Sequence, residues 1–358
     1  MRIAIVTETY APEINGVALT IERIVRCLCD LGHELTVVHP RRAESAPIIH
    51  GAIDYAVPGL PVPNYPDMRF GLPMRRRLRR IFSERRPEAV YIATEGPLGG
   101  AALKEARRFG VPVLTGFHTR FDQYASYYGL SFLQRFVENY LRRFHNASDG
   151  TVVPTPDLRR QLEEEGYDNV FLLERAVDVN RFHPSRRSEA RREAWGIGES
   201  DLAVLYVGRI AAEKNLELAA EAFRAIQRKH PRARFVLVGE GPAMQRFEEQ
   251  FPDFLFCGLQ VGTDLAECYA SADLFLFPSL TETFGNVVCE ALASGVPVVA
   301  FDYAAASHFV RAGRNGYVAE FGDHDAFVQH ASVLANIALD LPDLRRNARA
   351  AVAHLEPS

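Results

Sequence analysis

No apolar run among the 358 residues approaches the roughly 20 needed to carry a helix across a bilayer. The start does not read as a secretory leader either, since Met1-Arg2-Ile3-Ala4-Ile5-Val6 has the pattern of a strand. Cysteine is scarce: Cys27, Cys29, Cys257, Cys268 and Cys289 make an odd count of five, with no C-x-x-C spacing. Neither a disulfide framework nor a zinc site is expected, and a reduced cytosolic setting fits. The fingerprint G-x-G-x-x-G is missing. Val238-Gly239-Glu240-Gly241-Pro242 sits at a strand-turn-helix junction but does not match it, so dinucleotide redox chemistry has poor support. A nucleic-acid recognition motif is absent too, and the net charge is −4.

What is present is an ordinary soluble composition, 47% hydrophobic and 24% charged. The length suits two domains, each with its own core. Residues 1–150 carry 20 Lys/Arg against 15 Asp/Glu, and the remainder 21 against 30. Halves of opposite sign are expected to meet different partners. Strand-like runs at 2–7, 34–39, 89–93, 112–116 and 151–154 alternate with helical periodicity at 18–31, 75–85, 98–109 and 133–144. Residues 41–73, rich in Pro and Gly, read as long loops with a short strand at 53–57. A second alternating series begins with a strand at 170–173 and continues through strands at 203–207, 234–238, 254–257, 274–277 and 297–300. The expected class is α/β, two doubly wound domains with parallel sheets, spanning 1–169 and 170–358 with a hinge at 176–184.

The most informative stretch runs from Ser279 to Pro297, between the last two of these strands. It holds a turn with Gly285 and the possible cap Asn286, then a helical segment ended by Gly295 and Pro297. Glu282 lies in the turn and Glu290 one helical turn into the helix, so both can face one cleft. In open α/β sheets that rim is where ligands bind, and a helix start suits a diphosphate. On spacing alone these are two solvated glutamates. With Phe284 and Gly285 after the first Glu, the stretch resembles the donor-sugar motif of retaining family 4 glycosyltransferases. The resemblance covers almost the whole chain and implies the GT-B architecture, two Rossmann-like domains facing across a cleft. It implies that Glu282 contacts sugar hydroxyls, that Glu290 contacts the nucleotide ribose, and that backbone at Phe284, Gly285 and Asn286 approaches sugar and phosphates.

Other strand ends fit the same picture. Gly208-Arg209 and Glu213-Lys214-Asn215 resemble the family's phosphate-gripping motif. Fixed cations are one way to neutralise a diphosphate leaving group, with Glu213 expected to orient Lys214. Gly16, in the first strand-to-helix turn, lets backbone approach donor phosphates and acceptor. His118 resembles the family's active-site histidine, beside the transferred sugar, with Tyr124, Tyr127 and Tyr128 nearby. Gly239 and Gly241 are rim residues near the nucleotide, and Cys257-Gly258-Leu259 lies where the base is held. Asp323-His324-Asp325 is read as a helix cap, so no metal ion and no cofactor is expected. The Phe-Gly-Asn form and Phe301-Asp302-Tyr303-Ala304 look most like mannosyltransferases using GDP-mannose, with a lipid or glycan as acceptor. A UDP-sugar glycolipid gluco- or galactosyltransferase is the alternative, and a sugar-nucleotide 2-epimerase a more distant one.

Two further expectations complete the reading. Arg75, Arg76, Arg77, Arg79 and Arg80 share a short helical run with three apolar residues. This is either a solvated cationic face or a peripheral contact with anionic headgroups on the inner face of a membrane. Family members commonly end in a helix that crosses back to the first domain, and this chain stops where that crossing would begin.

Overall fold

The structure is a computed structural model that describes residues 1–42, 49–62, 65–120, 134–198, 200–338 and 342–356. The chain divides into the units Met1–Glu174 and Arg175–Pro357. In the first, β1 (Arg2–Val6), β2 (Glu34–Pro40) and β3 (Ala52–Val57) are followed by a hairpin of β4 (Gly59–Val62) and β5 (Tyr65–Gly71). Then come β6 (Ala89–Ile92), β7 (Val113–Gly116), β8 (Gly150–Val153) and β9 (Val170–Leu172). Seven of these form one parallel sheet in the order β3-β2-β1-β6-β7-β8-β9.

The second unit holds β10 (Ala203–Val207), β11 (Arg234–Val238), β12 (Leu255–Phe256), β13 (Leu274–Phe277), β14 (Val298–Phe301) and β15 (Gly316–Ala319). They form a parallel sheet in the order β12-β11-β10-β13-β14-β15. β10, β13 and β14 are buried along their whole length, as continuous apolar runs covered on both faces must be. In each sheet the chain winds one way from a central strand and then returns to wind the other way. The switch lies between β1 and β6 in the first unit and between β10 and β13 in the second. At such a point the flanking loops diverge and leave room for a ligand.

Three expectations are corrected. The strand near 170 does not open the second unit: it pairs in parallel with β8 through Thr151–Val170 and Val153–Leu172. The boundary therefore falls at Glu174/Arg175 rather than at 169/170. Residues 41–73 are not only loop, because Leu60 opposite Phe70 and Pro61 opposite Arg69 build the β4–β5 hairpin. A two-strand ribbon tolerates a proline whose missing N–H faces away from the ladder. The edge strand β15 was also not foreseen.

The entry side of the second sheet is closed by a buried ion cluster. Asp273, just before β13, accepts from the Ala203 N–H at 2.9 Å and from Arg192 Nη1 at 2.9 Å. Arg192 is fully buried and donates also to the carbonyls of Ser271, Gly198 and Asp201. A buried charge left without its partner is costly. Asp273→Asn is expected to lower unfolding free energy by about 3–5 kcal/mol, read as a fall in the denaturant midpoint; an unchanged midpoint would show the cluster to be dispensable.

Candidate active site

The loops after β10, β11 and β12 are stitched together by backbone. Gly208 N donates to Val238 O at 3.0 Å and Gly239 N to Gly258 O at 2.8 Å. Gly239 has φ +134, and a Cβ there would strike Gly208 O and stand 2.9 Å from Gly208 C. The expected rim glycine is thus explained by close passage of two loops. Beyond Gly208, Arg209 turns its guanidinium onto Glu213, which is fully buried. Sequence position suggested Lys214 as the partner of Glu213; the short 3₁₀ turn Ala212–Lys214 also places Glu213 one turn from Arg209. Asn215, left-handed at φ 53, then redirects the chain into the helix Leu216–Gln227.

Lys214 reaches across the switch point. Its Nζ lies 2.5 Å from Glu282 Oε1 and 3.2 Å from Ser279 Oγ, with Phe277 beneath it at 5.9 Å. Ser279 Oγ donates to Glu282 Oε1 at 2.8 Å, and Leu280 N donates to Glu213 O at 2.9 Å. The two loops that flank the β10–β13 switch therefore share one network containing Arg209, Glu213, Lys214, Ser279 and Glu282. Side-chain exposures of 12% for Lys214 and 16% for Glu282 keep the pair poorly hydrated yet reachable.

Glu290 has a separate support. Tyr269 Oη donates to Glu290 Oε2 at 3.0 Å. Tyr269 is fully buried, and burial, then the charge of Glu290, holds its phenol well above the usual range, so it stays a donor. Gly285, left-handed at φ 86, is the N-cap of the helix Asn286–Ala293. Asn286 is the first helical residue, not the cap, and no side chain caps the helix. Phe284 is buried against Phe309, its carbonyl accepts from Ala305 N at 2.7 Å, and the Arg175 guanidinium lies 5.9 Å over its ring.

In the first unit His118, two residues past the end of β7, has its Nε2 2.7 Å from the hydroxyl of Tyr91 on β6. Gly16 opens the helix Gly16–Asp30, whose cap Asn15 accepts from the N–H groups of Val17 and Ala18. Tyr124, Tyr127 and Tyr128 lie outside the described residues. Asp323 accepts from Ala326 N at 2.9 Å and caps the helix His324–Ala335, as read from sequence. Among the described residues no cluster of three or more His, Cys, Asp or Glu could hold a metal ion. The arginine helix is Arg75–Arg85, and it spends two charges internally: Arg75 and Arg79 both hold the buried carboxylate of Glu105. Arg80 pairs with Glu84.

Sequence reading passed over Glu8 and Tyr269, and quoted Ser279 and Tyr303 within their motifs without giving either a role of its own. Glu8 follows β1 at the first unit's own switch point. Its carboxylate accepts from Gly71 N at 3.1 Å and from Leu98 N at 2.9 Å, tying the β4–β5 hairpin to the helix Pro97–Phe109. Burial pushes it up to about 7, against the pull of backbone N–H groups.

A family model described as Glycosyltransferase Family 4 matches residues 14–181. One described as Glycosyl transferases group 1 matches 201–336. The chain is 33% identical over 333 residues to a GDP-mannose-dependent alpha-mannosyltransferase of Mycobacterium tuberculosis, covering 91% of this chain and 85% of that protein. It is 25% identical to an alpha-monoglucosyldiacylglycerol synthase of Streptococcus pneumoniae, covering 97% and 80%. A solved sucrose-phosphate synthase from Thermosynechococcus elongatus superposes with TM-score 0.81 at 17% identity, over 99% and 94% of the two chains. That likeness assigns the GT-B fold class.

Glu8 supplies a pH test. Its folded value of about 7 lies above the ordinary 4.5, so its contribution is intact below pH 4.5 and is lost as pH rises through 7. The loss amounts to roughly 3 kcal/mol. Glu8→Gln is expected to flatten this part of the stability profile in denaturant titrations at pH 4.5 to 8; an identical slope in both proteins would contradict it.

Proposed function

The chain belongs to the family 4 glycosyltransferases and is a hexosyltransferase; from that premise we propose that it moves mannose from GDP-mannose to a hydroxyl of a lipid or glycan acceptor, retaining anomeric configuration. The observation that carries the reading is the joint network of Arg209, Glu213, Lys214, Ser279 and Glu282 at the β10–β13 switch point. In the proposal the second unit takes the donor and the first the acceptor. Breaking the sugar–phosphate bond leaves negative charge on the diphosphate, where Arg209 offers a planar fork and Lys214 a point charge. Glu282 orients the sugar hydroxyls and Glu290 the ribose. His118 lies beside the transferred sugar, and Gly16 lets backbone approach the phosphates. The reading needs no metal ion, because the fixed cations carry the charge.

GDP-mannose as donor is supported by the 33% identity over 91% of the chain to a GDP-mannose-dependent enzyme. Peripheral membrane contact belongs to the same proposal and rests chiefly on Arg76 and Arg77, because Arg75 and Arg79 are committed to Glu105 and Arg80 is paired with Glu84. A glycolipid glucosyltransferase using a UDP-sugar is the second reading, favoured by the relative that matches 97% of the chain.

Transfer assays with GDP-mannose, UDP-glucose and UDP-galactose, with and without glycolipid or glycan acceptors, test the proposal. Mannose transfer that requires an acceptor is expected. Arg209→Ala or Lys214→Ala is expected to lower turnover about a hundredfold or more. Transfer from a UDP-sugar alone would promote the second reading, and donor turnover without acceptor would indicate an epimerase. Wild-type turnover in either alanine variant would remove the diphosphate role.

A further inference from the structure

The loop after β14 is tied to the loop after β13 at two places. Tyr303 Oη donates to Ser279 O at 2.7 Å, and Ala305 N donates to Phe284 O at 2.7 Å. Between them Ala304 stands at φ 52, a left-handed conformation that costs an alanine on the order of 1–2 kcal/mol and persists only when its surroundings impose it. Tyr303 also forms one wall of a recess with Phe277, Glu282, Phe284 and Phe301. Its ring is packed edge-on against Phe321 at 5.1 Å. Nothing in the chemistry of sugar transfer asks a tyrosine to hold the backbone of Ser279, yet that backbone carries the hydroxyl that bridges Lys214 and Glu282.

We propose that Tyr303 is a positioning residue that holds Lys214 and Glu282 in register through Ser279, so that the loop after β14 sets the geometry of both charged groups. This rests on the donor-site reading for its kinetic consequence and stands on the hydrogen-bond chain alone for its structural one. If the brace is lost, Ser279 drifts, its hydroxyl no longer spans the pair, and Lys214 gains freedom and exposure. In the donor-site reading the grip of Lys214 on the diphosphate of the nucleotide weakens with it. The sugar, oriented by Glu282, is held less well at the moment of transfer.

The chain makes a direct readout available, because Lys104, Lys214 and Lys229 are its only lysines. Limited acetylation of the full chain with an N-hydroxysuccinimide ester, followed by mass spectrometry, reports Lys214 against two internal controls. Tyr303→Phe keeps the ring and removes the hydroxyl. It is expected to raise Lys214 labelling severalfold with Lys104 and Lys229 unchanged. It is also expected to lower kcat with the sugar nucleotide about five- to tenfold and to raise the inhibition constant of free GDP severalfold, while that of GMP, which lacks the second phosphate, stays within twofold. Ser279→Ala should reproduce both effects and Ser279→Thr, which restores a hydroxyl, should reverse them. Wild-type labelling of Lys214 in Tyr303→Phe would overturn the brace, as would equal gains at all three lysines, which would mean general loosening. If no sugar nucleotide is turned over by the wild type, the donor-site reading has failed, and the labelling comparison still decides the brace.

Discussion

The ion pair between Lys214 and Glu282, 2.5 Å apart across the switch point of the second sheet, is the interaction on which the rest of the site depends. Each member is largely removed from water, and an isolated charge in that setting would be costly. The pair neutralises itself, and Ser279 satisfies one oxygen and one ammonium proton together. Arg209 and Glu213 repeat the arrangement one turn away, with the carboxylate wholly buried. Cations held this way are preorganised: they meet developing charge without having to move, which is where electrostatic catalysis gains most. Only three of the 41 basic residues are lysines. A compact ammonium at 214 can sit between two oxygens where a planar guanidinium cannot.

The fold accounts for why that pair can form at all. Parallel strands send every strand-to-helix loop to one edge, and the reversal of winding between β10 and β13 brings two loops distant in sequence side by side. Lys214 and Glu282 are 68 positions apart. At the opposite edge, Asp273 and Arg192 fix the starts of β10 and β13. The same two strands are thus clamped where they begin, and the loops that leave their far ends are joined by Lys214 and Glu282. The first unit has its own switch between β1 and β6, and Glu8 occupies it, joining a hairpin and a helix start.

Much of this was legible in the residues. Arg209, Lys214 and Glu282 stand in short motifs that single them out, and the structure brings them together; the apolar run Leu274–Phe277, followed by a turn, read correctly as a strand. What was not legible depended on partners far along the chain. Tyr303 acts on Ser279 at 24 positions' remove and Glu8 on Leu98 at 90, and neither contact leaves a local trace. Glu213 was assigned to the adjacent lysine because adjacency is all a sequence displays; its pairing with Arg209 across a 3₁₀ turn was not visible there. Val170–Leu172 reads as apolar strand whichever sheet it joins, and only its pairing with β8 settles the boundary. The arginine run suggested five free charges, whereas the buried Glu105 takes two of them.

The central claim is that Arg209 and Lys214 grip the diphosphate of a nucleotide sugar. Titration calorimetry of GDP against GMP tests it most directly, because the two ligands differ only in the second phosphate. The account predicts that the wild-type chain binds GDP about tenfold or more tighter than GMP, and that Arg209→Ala removes most of the difference while leaving GMP affinity alone. Equal affinity of the wild type for GDP and GMP would contradict it.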